Sequence, residues 1–138
     1  MPAEIFTHAH RVTYADCTVG NHVYYGRYPD LLEAARGEFF RHLGTSFLEY
    51  QEEGIFFPVS EVHLKYFAFA EYDDELSIEC RMTAIRGARL GFGYRITKGE
   101  CVRILEGETL HGCTNAAGRA SRLPAALADK LRPYLDEN

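Results

Sequence analysis

Between positions 14 and 30 the chain reads YADCTVGNHVYYGRYPD, which sets a carboxylate (Asp16), a hydroxyl (Thr18), an imidazole (His22) and the tyrosines Tyr24, Tyr25 and Tyr28 close together. These are the side chains of general acid–base chemistry. A carboxylate or an imidazole takes a proton from water, and the imidazole is the side chain suited to that transfer near neutral pH. A threonine hydroxyl can hold a water or a substrate, whereas as a nucleophile it would itself need a base. Each residue also has a structural use. Asp16 suits a loop anchor that accepts nearby backbone N–H groups, and His22 suits a hydrogen-bonded structural histidine. The tyrosines suit a partly buried position with one hydroxyl turned to a pocket.

The rest of the chemistry-bearing set is thinner. His8 and His10 share one face of a presumed strand, but with no third ligand in the pattern they read as a solvated strand end rather than a zinc site. Cys17, Cys80, Cys101 and Cys113 form no C-x-x-C pair and fit neither a zinc site nor a disulfide framework, which points to reduced thiols and a cytoplasmic location. Cys80 alternates with apolar residues and reads as core, and nothing near Cys17 lowers a thiol pKa. His63 and His111 fall on strands and read as structural or surface groups. No phosphate-binding glycine loop, dinucleotide fingerprint or G-x-S-x-G elbow is present. Arg86, Arg89 and Lys98, near strand ends, are the cations available for a phosphorylated ligand.

Positioning that loop is a helix with clear stop and start signals. Pro29 and Asp30 favour its first turn and Gly44 its stop, while Leu32, Ala35, Phe39, Phe40 and Leu43 recur at helical spacing. The turn at 24–28 extends the helix toward the loop. Gly37, costly in a helix interior by ~1 kcal/mol, predicts a close approach to a sheet. Glu33 and Arg36, three apart, predict a surface ion pair. A strand at 5–14 precedes the helix. After it the period falls to two. In EVHLKYF, ELSIECRM and RLGFGYRI apolar and polar residues alternate, predicting half-buried antiparallel strands with turns at Asp73-Asp74, Arg86-Gly87 and Lys98-Gly99. A fourth strand at 101–115 is expected to bulge near Gly107, and a short helix at 124–135 closes the chain. Phe67, Phe69 and Phe92 suit the lining of an apolar ligand pocket, although strand core is the stronger reading for such aromatics.

The result is one α+β domain over residues 1–138. An apolar share of 46% and a charged share of 25% are ordinary for a soluble domain. A net charge of −5 argues against nucleic acid, and no apolar run approaches the ~20 residues of a membrane span. The N-terminus shows no secretory pattern. One helix cannot cover both faces of a five-stranded sheet, so the open face around Gly91 and Gly93 predicts a homodimer or homotetramer.

With that element order, Tyr14-Ala15-Asp16, the His22-Val23-Tyr24-Tyr25 turn, Tyr28, Glu33-x-x-Arg36 in LLEAAR and the ending GRASRLP at 118–124 resemble the hotdog-fold acyl-CoA thioesterases of the 4-hydroxybenzoyl-CoA thioesterase family, which includes the Tol–Pal-associated enzymes. The resemblance spans nearly the whole chain. It implies a hotdog fold, a long central helix wrapped by a five-stranded antiparallel sheet, with dimers that share one sheet and place active sites at the interface. It implies hydrolysis of a coenzyme A or acyl carrier protein thioester without metal or other cofactor. A loop carboxylate serves as nucleophile or base, and a backbone N–H at the helix start, here that of Tyr25, polarises the carbonyl. Tyr24, Tyr28, Arg86 and Arg89 are the substrate contacts expected from this layout.

One departure bears on mechanism. The family loop commonly carries Asp-x-Asp with the second aspartate catalytic, and this chain has Asp16 and then Thr18. Tyr25 likewise stands where some relatives have histidine. Three routes follow: Asp16 acts directly or through a water held by Thr18, His22 acts as the base, or the site binds thioesters without turnover. An enoyl-thioester hydratase, with Asp16 and His22 as its acid–base pair, is a further alternative.

Overall fold

The computed structural model describes residues 2–99 and 101–136. Strand β1 (Phe6–Arg11) leads through a 3-10 turn (Tyr14–Asp16) and an irregular loop to a second 3-10 turn (Tyr25–Arg27), which runs straight into helix α1 (Tyr28–His42). A short helix α2 (Phe47–Glu52) follows, then β2 (Val59–Tyr66), β3 (Glu75–Arg86), β4 (Arg89–Lys98), β5 (Val102–Gly112) and a closing helix α3 (Ala125–Leu131). The five strands form one antiparallel sheet in the order β1-β3-β4-β5-β2.

The helix forms where the sequence places it. Its buried stripe is Leu31, Leu32, Ala35, Arg36, Phe39 and Phe40, and Gly44 stops it at φ 84°, a conformation glycine adopts without a Cβ penalty. Phe39 stacks on Phe6 of β1 at 5.3 Å and meets Phe92 of β4 edge-on at 6.4 Å, which docks α1 on one face of the sheet. Along β3 and β4 the inward residues Leu76, Ile78, Cys80, Met82, Phe92, Tyr94 and Ile96 are sealed from water. Burial pushes the Cys80 thiol up to about 12, so it is an inert core group.

Several expectations are corrected. Gly37 approaches no sheet: a Cβ there would touch only the Arg41 guanidinium at 3.6 Å, because the residue faces outward. Glu33 and Arg36 do not pair; Arg36 turns into the protein and Glu33 outward. The face around Gly91 and Gly93 is not open. The side chains of Thr83 and Arg81 lie across it, and a Cβ on Gly91 would meet Thr83 Oγ1 at 2.4 Å. The irregularity of β5 falls at 103–105, opposite Ile96 and Thr97, and not at Gly107, which pairs with Leu64 and Tyr94; the missing side chain of Gly107 admits the β2 backbone, since a Cβ would stand 2.3 Å from the His63 carbonyl oxygen. Helix α2 goes unread in the strand and turn pattern. Its local signal is Ser46-x-x-Glu49, and the Ser46 hydroxyl accepts the Glu49 N–H at 3.1 Å.

The core also holds a polar chain. Arg36 donates to the Tyr94 hydroxyl (3.1 Å), Tyr94 joins Thr109 Oγ1 (2.6 Å), Thr109 joins His111 Nε2 (2.9 Å), and His111 Nδ1 reaches the Phe57 carbonyl (3.1 Å). Both ends fix its direction. A carbonyl only accepts, so Nδ1 carries the proton and Nε2 of the neutral ring accepts from Thr109. Thr109 then accepts from Tyr94, which accepts from Arg36.

Burial, assisted by the nearby Arg36 charge, holds the His111 pKa at about 4, against the Phe57 carbonyl, which favours the protonated ring. An imidazole in the unfolded chain protonates near 6.5. Between those values the unfolded state binds the extra proton, so stability falls as pH drops from 6.5 to about 4. The loss attributable to this residue is on the order of 3 kcal/mol at ~1.4 kcal/mol per unit. Urea unfolding at pH 7, 5.5 and 4.5 is expected to show this decline in the wild type and a flatter profile in His111→Gln.

Candidate active site

The loop from 17 to 23 is a tight hairpin. Cys17 and Val23 bridge, the Thr18 N–H donates to the His22 carbonyl at 2.9 Å, and Asn21 turns the chain at φ 61°. Inside the turn the Thr18 hydroxyl accepts the Gly20 N–H (3.2 Å), which leaves its own proton free to donate outward. His22 Nδ1 lies 3.3 Å from the Gly20 carbonyl, which can only accept, so the proton sits on Nδ1 and Nε2 keeps its lone pair. Gly20 makes room for this ring, because a Cβ there would come within 2.8 Å of the imidazole. On its other side the ring packs against Phe69 at 4.6 Å.

Beside this hairpin the helical run begins. Tyr24 takes the N-cap place with no side-chain cap, so the N–H groups of Tyr25 and Gly26 open the helix without an intrahelical acceptor. Tyr66, at the end of β2, donates its hydroxyl to the Tyr25 carbonyl (2.9 Å) and holds the edge strand to the helix start. Between hairpin, helix start and strand end lies a groove of about 460 Å³, with Thr18, His22, Tyr24, Tyr25 and Tyr28 all on its wall. Tyr66, Phe67 and Phe69 complete it: Phe69 is exposed beyond the end of β2 rather than in the strand core, and Tyr66 is not legible as a site residue in the alternating strand pattern. Burial pushes the Tyr28 phenol up to about 12, so it stays a neutral hydrogen-bonding group.

Asp16 stands elsewhere. Its side chain is fully covered and does not line the groove. Oδ2 accepts from His10 Nε2 (2.8 Å) and the Thr13 N–H (2.9 Å), and Oδ1 accepts from Arg27 Nε (2.8 Å). Burial pushes this carboxyl upward, but the three donors outweigh it and hold the pKa at about 2. The group is charged, held from three sides, and ties β1, the first turn and the helix start together. His10, expected at a solvated strand end, is one of its partners. The Cys17 thiol is pushed up by burial and by the Asp16 charge, which disfavours the nucleophilic thiolate. Arg86 and Arg89 face each other across the β3–β4 turn and line a different hollow, of about 720 Å³, together with Thr83 and Leu110. Among the described residues no cluster of three or more His, Cys, Asp or Glu is placed to hold a metal ion.

Known proteins resemble this chain in sequence and in fold. An acyl-CoA thioester hydrolase, YbgC, of Escherichia coli is 34% identical over 133 residues, covering 96% of this chain and 99% of that protein. A hypothetical protein from Thermus thermophilus of known structure superposes with a TM-score of 0.86 at 30% identity, covering 93% of this chain and 98% of that one. The 1,4-dihydroxy-2-naphthoyl-CoA thioesterase from Synechocystis has the same fold, with a TM-score of 0.87 at 20% identity over 94% of this chain and 96% of its own. Residues 12–131 match the thioesterase-like superfamily, and with the five-stranded sheet, the long helix and the uncapped helix start at Tyr25 now in place, the chain belongs to that superfamily.

Proposed function

We propose that the protein hydrolyses an acyl-CoA thioester to a free acid and coenzyme A, with His22 as general base. The observation that carries this is the common groove: an uncapped helix start at Tyr25, a threonine hydroxyl with a free proton and an imidazole with a free Nε2 all line it. The thioester oxygen accepts from the Tyr25 N–H, where the helix end favours developing negative charge. Thr18 orients a water, His22 Nε2 takes its proton, and the resulting hydroxide equivalent attacks the carbonyl carbon. The tetrahedral intermediate expels the thiolate of coenzyme A, which takes the proton back from His22. Asp16 keeps the loop in place.

The sequestered Asp16 also favours a second reading, an acyl-thioester binder without turnover. The working unit is a homodimer formed along β2. This strand is an edge, and its Val59, Val62 and Tyr66 are exposed in the single chain, as an unpaired edge awaiting a partner would be. The four cysteines are unbridged, in keeping with a reducing cytoplasm.

Free-thiol release from short, medium, long and aromatic acyl-CoAs at neutral pH tests the assignment. Turnover of at least one acyl class is expected. Stoichiometric binding without thiol release across the panel establishes the binder instead.

A further inference from the structure

Arg36 is an unusual tenant of the core. It is only 9% exposed, yet no carboxylate of the described residues pairs with it. A guanidinium does not shed its charge to escape burial, and its five N–H donors all seek acceptors. Tyr94 takes one. The only buried side-chain polar atom without a partner among the described residues is Thr83 Oγ1, so the remaining Arg36 nitrogens are open to space. That space is a hollow of about 780 Å³ between α1, α2 and the segment entering β2, with His8, Glu33, Arg36, Phe47, Phe57 and His111 on its wall.

The hollow sets the Arg36 guanidinium beside the rings of Phe47 and Phe57, with Arg41 and the carboxylates of Asp30, Glu33 and Glu38 also on its wall. The polar chain through Tyr94, Thr109 and His111 pins the guanidinium from behind, and the neutral His111 ring adds no competing charge. Of the acids on the wall, Glu38 is bound by Arg41 at 2.6 Å and Asp30 by Arg27 at 3.1 Å. Glu33 is exposed, so water screens it while the buried guanidinium is screened far less. Phe47 and Phe57 sit edge to face at 5.7 Å and offer ring surfaces.

We propose that this hollow binds a small carboxylate with an apolar, preferably aromatic, body: Arg36 takes the carboxylate and Phe47 and Phe57 take the body. The site is separate from the Tyr25 groove and needs no turnover there. An acid freed by thioester hydrolysis is a molecule of this kind.

Calorimetric titration of the full-length protein with benzoate, and with benzamide as its neutral isostere, tests the proposal. Benzoate is expected to bind once per chain and benzamide about tenfold or more weakly, as the loss of a charge-assisted contact implies. Arg36→Gln is expected to weaken benzoate by a similar factor, with Arg36→Lys intermediate and Arg95→Gln unchanged. Because the benzoate–benzamide comparison is made on the wild type, an Arg36 variant that fails to fold leaves the test intact. Equal binding of the two probes, benzoate binding unaffected in folded Arg36→Gln, or no uptake by the wild type because a second copy of the chain covers the hollow would each overturn it.

Discussion

His22→Ala is expected to lower kcat for thioester hydrolysis by about 10²–10⁴-fold with little change in KM, the range for losing a general base. The imidazole is well placed for this role because its tautomer is fixed. Nδ1 is committed to the Gly20 carbonyl, Phe69 backs the ring, and Nε2 is left to accept. The fold should survive the substitution, since the hairpin is held by backbone bonds such as Thr18 N–H to His22 C=O and Val23 N–H to Ala70 C=O. A fall in kcat at unchanged KM in a folded variant separates a general base from a merely structural histidine. Thr18→Ala is expected to be milder, since a misplaced water costs less than an absent base. If His22→Ala retains activity within about threefold of wild type, the general-base assignment fails, because a positioned base is worth far more.

Much of the fold was open to sequence reasoning because its signals are local. Pro29, Asp30 and Gly44 bracket α1, and strict alternation marks β3 and β4. The order of the helix and these strands follows from such signals, and the hotdog architecture from the family resemblance that the order and the loop together carry. What escaped was decided by tertiary neighbours. Arg36 and Glu33 satisfy the spacing rule for an ion pair, but the same spacing places Arg36 on the buried stripe, where the Tyr94 hydroxyl takes one of its donors. Gly91, Gly93 and Gly107 look alike in sequence; their reasons for lacking a side chain, Thr83 and Arg81 for the first two and the β2 backbone for the third, depend on register. The groove was half legible. Thr18, His22, Tyr24, Tyr25 and Tyr28 are contiguous enough to be gathered by one hairpin and one helix start, whereas Tyr66 arrives from the edge strand and Phe67 and Phe69 are marked in sequence only as aromatics that suit core or pocket alike. Arg86 and Arg89 qualify as phosphate contacts by charge alone, and charge does not fix where a turn points.

Asp16→Ala is expected to destabilise the protein by about 3 kcal/mol, toward the lower end for breaking a buried charge pair, because Arg27 is partly exposed and can rehydrate. Three donors lose their acceptor at once: His10 Nε2, the Thr13 N–H and Arg27 Nε. In a chain of this size the loss corresponds to a fall in Tm of roughly 10 °C. Asp16→Asn keeps one oxygen acceptor and should cost less. The carboxylate's own acid dependence has a defined sign. Its pKa is 3.8 unfolded and about 2 folded, so its stabilisation is complete above 3.8 and is lost as pH falls toward 2. The decisive comparison is between stability and rate in Asp16→Asn, assayed well below its Tm. A positioning residue predicts a lowered Tm with kcat within about tenfold of wild type. A catalytic carboxylate predicts the reverse, an almost unchanged Tm with kcat reduced by about 10²-fold or more, and that result would return the chemistry to the residue that the fold has enclosed on three sides.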